Sequence, residues 1–240
     1  MEQQDILSMT LPELQAAVQE LGEPKFRAKQ IFNWLHQKRV TDFSEMTTLS
    51  LPFRERLASD FCINRLKIAK RLASSVDDTV KYLYELPDGN YVETVCMQYH
   101  HGTSLCISTQ VGCRMGCRFC ASAIAGFVRN LTPAEMLLQI YETERAQNCK
   151  ISSLVLMGIG EPLDNFDNVL RFLQLLSDPN GYGMSLRHVT VSTCGVVPKI
   201  LELAEQRLGL TLSVSLHCPN DAGRSAIMPI NRSYPIDVLL

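Results

Sequence analysis

The sequence predicts an α/β fold: a partial (β/α) barrel, left open, preceded by a small helical N-terminal domain and a β-hairpin. Three observations predict it. The first seventy or so residues carry apolar side chains at helical spacing. Val80 to Leu86 and Tyr91 to Tyr99 alternate with period two around the turn signal Pro87-Asp88-Gly89-Asn90. From Ser104 onward, short apolar runs alternate with amphipathic helical patterns. Parallel strands need a long crossover, usually a helix, so the last pattern implies a parallel sheet. The expected division is 1–75, a helical accessory domain, and 76–240, the hairpin plus the barrel core.

The elements follow in order. Thr10-Leu11-Pro12-Glu13 has the form of a capping box with proline at an early helical position. Leu14, Ala17 and Leu21 continue that helix, and Gly22 ends it. A second helix is expected from Lys25 to Gln37 and a third from Leu51 to Phe61. After the hairpin, Ser104 to Gln110 reads as a strand. Thr132-Pro133-Ala134-Glu135 repeats the capping box and opens a helix to about Gln147. Strand, helix, strand, helix and strand then follow at 153–157, 166–177, 188–192, 198–206 and 211–216. The four strands counted from Ser104 leave the last one as an unpaired edge, and the chain ends inside what reads as another helix.

Composition bounds the rest. The 240 residues are 46% hydrophobic and 20% charged, with a net charge of −2, which argues against global disorder and gives no global sign of nucleic-acid binding. The acidic, polar N-terminus lacks the form of a signal peptide, and no run of eighteen apolar residues occurs. A cytoplasmic protein without membrane association is the expectation. Charge is uneven, however: residues 25–71 hold eleven Lys and Arg against four acids. One reading is a solvated helical surface. The other is a phosphate-binding face, which would make binding salt-sensitive.

Nine cysteines in a chain without a secretion signal suggest metal binding, chemistry or buried thiols rather than disulfides. Cys113, Cys117 and Cys120 stand in a C-x3-C-x2-C run within a glycine-containing loop after a strand. Three thiolates so close can wrap one face of an iron–sulfur cluster and leave one iron open. A structural zinc site is the alternative, although zinc more often uses two separated C-x2-C pairs. Three buried thiols are a further one. Gly158-Ile159-Gly160-Glu161-Pro162 follows an apolar strand, where parallel α/β folds place ligand loops. Read alone, Glu161 also suits a helix N-terminus, Ser192 and Ser215 are ordinary strand-end residues, and His217 is a half-buried histidine. Glu93 reads as a solvent-facing strand residue and Cys106 as a small buried hydrophobe.

C-x3-C-x2-C with an aromatic before the last cysteine resembles the signature of the radical-SAM superfamily. The segments QVGCRMGCRFCAS, GFVRNLTPAE, LVLMGIGEPLDNFDNV, RHVTVSTCGVVPKI, SVSLHCPND and RSAIMPINRSYPI, together with FRAKQIFNWL, resemble more closely the bacterial dual-specificity adenine-C2 methyltransferases. That resemblance implies a [4Fe-4S] cluster on Cys113, Cys117 and Cys120. It implies S-adenosyl-L-methionine against Gly160, Glu161, Ser192, Ser215, Leu216 and His217. Glu93 would be the general base, and Cys106 would resolve a covalent enzyme–RNA adduct through a disulfide. The substrates would be 23S rRNA and tRNA. An electron donor such as flavodoxin would be a partner, and the protein would be a monomer. The resemblance also implies a methyl-accepting cysteine in an AACGQL-like segment, which this sequence does not contain. The expectation is an incomplete form unable to finish methylation. The related C8-adenine resistance methylase and a non-catalytic cluster- or RNA-binding fragment are the competing readings.

Overall fold

The computed structural model describes residues 3–240. The N-terminal part comprises β1 (Gln4–Asp5), α1 (Leu11–Glu20), α2 (Phe26–His36), α3 (Leu51–Asp60) and β2 (Phe61–Cys62). The meander that follows is β3 (Lys67–Ala73), β4 (Val80–Glu85), β5 (Tyr91–Tyr99) and β6 (Gly102–Cys106). A small ribbon, β7 (Gln110–Gly112) with β8 (Phe127–Asn130), frames the cysteine loop. The chain continues through α4 (Pro133–Gln147), β9 (Ile151–Leu156), α5 (Phe166–Ser177), β10 (Val189–Thr193), α6 (Val197–Glu205) and β11 (Thr211–Val214). It closes with α7 (Asp221–Ile227) and α8 (Ile236–Leu239).

The main sheet has seven strands in the order β11-β10-β9-β6-β5-β4-β3. The four strands expected from Ser104 onward, β6, β9, β10 and β11, pair in parallel. The antiparallel hairpin joins them through β5 on β6. The sheet remains open, with β11 and β3 at its edges. Two features differ from the sequence reading. β3 lies within the stretch read as helical, and all seven of its residues are exposed, so its KIAKRLA run shows no period to detect. The strand expected over 104–110 breaks at Cys106, because residues 107–109 turn to meet the loop after β9 and β7 then pairs with β8.

Capping chemistry starts the helices where the sequence placed it. The Glu13 carboxylate accepts from Thr10 N at 2.8 Å, and that of Glu135 accepts from Thr132 N at 2.9 Å. α4 is buried along nearly its whole length, from Pro133 to Glu144, because it has packed neighbours on more than one side. It therefore carries buried polar groups that must be satisfied internally. Gln139 meets that need: its Nε2 donates to Ser108 O at 3.0 Å, and its Oε1 accepts from Ser108 N at 2.8 Å and Thr94 Oγ1 at 2.9 Å. From α2, His36 Nδ1 lies 2.9 Å from the Tyr141 hydroxyl, and Arg171 on α5 pairs with Glu13 on α1 at 2.5 Å. These contacts fasten the helical N-terminal part to α4 and α5.

Two outcomes follow. Gln139→Leu strands both backbone polar groups of Ser108 without partners and should lower unfolding free energy by about 2–4 kcal/mol, read by urea denaturation. Burial holds His36 neutral, with its pKa lowered to about 4. The unfolded chain therefore binds a proton that the folded chain refuses between pH 6.5 and 4. Stability from this group is present above pH 6.5 and is lost as pH falls, by about 3 kcal/mol in total. Denaturation midpoints measured across that window should flatten in His36→Phe.

Candidate active site at the strand ends

The segments leaving β6, β9, β10 and β11 converge at the C-terminal ends of the parallel strands, where such sheets bind ligands. They enclose a cavity of about 290 Å³ lined by Cys113, Cys117, Cys120, Gly160, Glu161, Ser192, Ser215 and His217, with Met115, Met157 and Met228. Eight residues singled out in the sequence thus share one cavity. A larger, open cleft of about 760 Å³ lies elsewhere, lined by Lys38, Arg39, Arg145 and Lys150 among others. It holds none of the residues expected to bind a cofactor, so the smaller cavity is the candidate.

The cysteine loop hangs from the β7–β8 ribbon. Gly112 begins it with φ +72°, and a Cβ there would lie 1.7 Å from Gly126 O. Only glycine admits this approach, which brings Cys113 N to donate to Gly126 O at 3.1 Å. Farther along, Arg118 N donates to Ile227 O at 2.9 Å and Cys120 N to Cys117 O at 3.1 Å. Arg114 pairs with Asp164 at 2.9 Å and lies over the Phe127 ring. Phe119, the aromatic before the last cysteine, packs edge-on against His217 at 4.6 Å between centroids. His217 is in the left-handed region, φ +57°, an uncommon conformation for histidine.

The loop after β9 is held by the residues just past β6. Thr109 N and Gln110 N both donate to Ile159 O, at 2.9 and 3.1 Å, and Glu161 N donates to Gln110 Oε1 at 2.8 Å. Gly160 has φ +109°, and a Cβ there would fall 2.6 Å from the Gln110 Cβ. Glu161 is buried, and its carboxylate accepts from Cys194 N at 2.8 Å and Leu163 N at 3.1 Å. It therefore caps the 3-10 turn Pro162–Asn165, the plainer of its two sequence readings, while also lining the cavity. Burial pushes its pKa up, and these amide donors oppose the rise.

Leu216 does not line the cavity; its carbonyl accepts from Arg224 Nε at 3.2 Å. Glu93 and Cys106 also lie outside it. Their relation is one of register: Val95, two residues after Glu93, pairs with Cys106, which pairs with Val155, which pairs with Thr190, two residues before Ser192. Alternation places Glu93, Cys106 and Ser192 on one face of the sheet. Glu93 forms an ion pair with Lys81 at 2.6 Å. Burial pushes the Cys106 thiol up, against a hydrogen bond from Met157 N. Cys106 is a free thiol and is not in a disulfide here.

The cysteines fit a cluster. Among the described residues no three His, Cys, Asp or Glu side chains close on one point as ligands of a single ion do. A cluster takes each thiolate on a different iron, so its cysteines stand around a cluster-sized space, as these three stand around the cavity. Burial pushes the Cys113 and Cys117 thiols up in the metal-free chain. Bound iron reverses that preference, because a coordinated thiol is deprotonated.

Sequence reasoning did not find the residues that hold these loops. Ser108, Gln110, Gln139 and Asn165 are buried and bonded to loop backbone or to one another's strands. Their only sequence signal is polarity inside otherwise apolar stretches, which also describes a surface.

Similarity to known proteins extends over nearly the whole chain. Residues 107–240 match the Radical SAM superfamily, and residues 4–63 match the Ribosomal RNA large subunit methyltransferase N-terminal domain. The chain is 52% identical over 239 residues to a probable dual-specificity RNA methyltransferase RlmN of Lachnoclostridium phytofermentans, covering 98% of this chain and 66% of that protein. It is 49% identical to the protein of the same description in Alkaliphilus oremlandii, covering 100% of this chain and 70% of that one. The chain thus spans about two thirds of the length of these curated relatives. A radical SAM methyltransferase structure from Sphaerobacter thermophilus superposes with a TM-score of 0.92 at 37% identity, over 98% of this chain and 70% of that one.

Gly160→Ala should cost roughly 1–3 kcal/mol, since it combines a positive φ with a clash against Gln110. A thermal melt checks this, with a lowered midpoint as the expected result.

Proposed function

Because this chain belongs to the radical SAM superfamily and, within it, to the RNA methyltransferase family of these relatives, we propose that it serves methylation of adenosine at C2 in 23S rRNA and tRNA. The observation that carries the proposal is the single cavity uniting Cys113, Cys117 and Cys120 with Gly160, Glu161, Ser192, Ser215 and His217. The family works with a [4Fe-4S] cluster and S-adenosylmethionine, which supply one-electron chemistry at a carbon that polar methyl transfer does not reach.

The chain's own residues divide that work. Cys113, Cys117 and Cys120 hold the cluster. Gly160, Ser192, Ser215 and His217 wall the space for S-adenosylmethionine, and the Leu216 backbone supports them. Glu161 contributes by orientation, since its oxygens are already engaged by Cys194 and Leu163 amides. Glu93, on the open sheet face, is the base for the adenine ring proton, and Lys81 holds its carboxylate there. Cys106 shares that face and would release the product by a disulfide with the methyl-accepting cysteine that the resemblance implies and this sequence does not contain. Exposed Phe119 borders the cavity, leaving a route for an electron donor such as flavodoxin.

RNA contact is assigned to the basic N-terminal stretch. Part of its charge is engaged within the chain: Arg39 pairs with Glu144 and Arg65 with Glu142. β3 presents Lys67, Lys70 and Arg71 on a wholly exposed edge strand, which supports a phosphate-facing role. No described helix is long and apolar enough to cross a membrane. We assign the protein to the cytoplasm, acting as a monomer.

The test is anaerobic reconstitution with iron and sulfide, then incubation with S-adenosylmethionine, a reductant and unmodified large-subunit rRNA or tRNA. For this sequence, which lacks the AACGQL-like segment, a loaded cluster without methylated adenosine is the expected result, and 2-methyladenosine by nucleoside mass spectrometry would overturn that expectation while identifying C2 as the target. Finding 8-methyladenosine instead would move the assignment to the C8 reaction. Stoichiometric zinc without sulfide would reject the cluster. Alanine at any one of the three cysteines should abolish the cluster's visible absorbance. Lys70→Ala with Arg71→Ala should weaken rRNA binding and lower the salt slope by roughly 1–2, read by filter binding at several salt concentrations.

A further inference from the structure

The segment Asp221–Arg232 gives the cavity only Met228, yet it contains the largest of the fully buried side chains among the described residues, Arg224, at 0% exposure. Its Nη2 donates to Cys194 O at 2.6 Å and to Ser215 O at 3.5 Å, its Nε to Leu216 O at 3.2 Å, and its Nη1 to Asn231 Oδ1 at 2.7 Å. The carbonyls belong to the segments leaving β10 and β11, the two that wall the cavity beside Ser192 and His217. Among the described residues no carboxylate forms an ion pair with it; exposed Asp221 is reached only through Asn231, whose Nδ2 donates to Asp221 Oδ1 at 2.8 Å. A buried guanidinium without a counter-charge is costly, and neutral oxygens offset only part of that cost. The cysteine loop is tied to the end of the same helix, α7, by Arg118 N donating to Ile227 O at 2.9 Å. Cys194 and Ser215, whose carbonyls it gathers, both line the cavity, so its charge lies directly behind the cavity wall.

We infer that Arg224 is a positioning and charge-setting residue of this site, clamping the ends of β10 and β11 and providing the positive charge that balances an anionic occupant of the cavity. The inference rests on the reading of that cavity as a cluster and S-adenosylmethionine site. Three thiolates around a cluster, next to the carboxylate of S-adenosylmethionine, make an anionic centre inside the protein. A fixed buried cation stabilises the reduced cluster more than the oxidised one and so raises its reduction potential. The fork geometry acts separately from the charge. Its donors, fixed in one plane, bridge several strand-end carbonyls at once, which a lysine cannot do.

Two variants separate charge from clamp. Arg224→Met removes both, and Arg224→Lys keeps the charge alone. The readouts are the cluster midpoint potential, followed by electron paramagnetic resonance in a redox titration, and the Kd for S-adenosylmethionine. Arg224→Met is expected to shift the potential to more negative values and to raise Kd about tenfold or more. Arg224→Lys is expected to keep a potential near that of the unaltered chain while Kd still rises. Should Arg224→Met not accumulate as folded protein, Asn231→Asp places a carboxylate against the retained guanidinium and is expected to lower the potential. A loaded Arg224→Met or Asn231→Asp with unaltered potential overturns the charge role, and Arg224→Lys with unaltered Kd overturns the clamp. An unaltered chain that takes up no iron and sulfide overturns the cofactor reading and this inference with it.

Discussion

The site depends on one backbone segment, Ile107–Gln110, and on the buried hydrogen bonds that fix it. Ile107 N still pairs in the sheet, to Val155 O, and Gln139 then takes both backbone groups of Ser108. The Ser108 hydroxyl donates to Glu93 O at 2.6 Å and accepts from Ile159 N at 3.0 Å. Gln110 continues outward to Glu161 N, Asn130 and Asp164. Four residues thereby set the relative positions of β5, the loop after β9 and the ribbon carrying the cysteines. The backbone groups of residues 107–109 all have fixed partners, so the network specifies one arrangement of those loops rather than a family of them.

How much of this is legible in the sequence follows from the range of each interaction. The capping boxes at Thr10 and Thr132 are complete within four residues, and the hairpin turn at 87–90 is equally local, so each can be read from neighbouring residues alone. The parallel strands are legible as short apolar runs set between helical patterns, although in β9 and β10 the fully buried residues lie mainly on one face. β3 is not, since an exposed edge strand shows no contrast between its faces. β7 and β8 are three and four residues long and exist because Gly112 lets two chain segments touch. The cysteine triplet is legible through spacing. Arg224 is not, because a buried charge bonded to carbonyls of residues 194, 215 and 216 looks in sequence like any helix-surface arginine.

Glu161 shows how a site residue recognised by motif acts through structure. Resemblance places it against the cofactor, and it does line the cavity. Both carboxylate oxygens, however, accept from backbone amides, one in its own 3-10 turn and one at the end of β10. Its charge therefore joins two strand-end loops across the cavity floor. Arg224 joins the same β10 end to the segment after β11, through carbonyls. An acid that gathers amides and a base that gathers carbonyls hold one strand end between them.

This arrangement accounts for the separation of Glu93 and Cys106 from the cavity. The cavity is built from loops beyond the strand ends, whereas Glu93 and Cys106 belong to the strands themselves, on the face shared with Ser192. Ser192 is the junction, since it stands on that face and also lines the cavity. Chemistry that must keep a reactive carbon away from water while a large RNA base approaches needs two such adjoining spaces. In the function proposed above, the partly enclosed cavity would take the small cofactor and the open sheet face would take the base after it leaves its stack. The buried network at Ser108 binds the two together, because its hydroxyl takes Glu93 O on the open face and Ile159 N on the loop leading to the enclosed one.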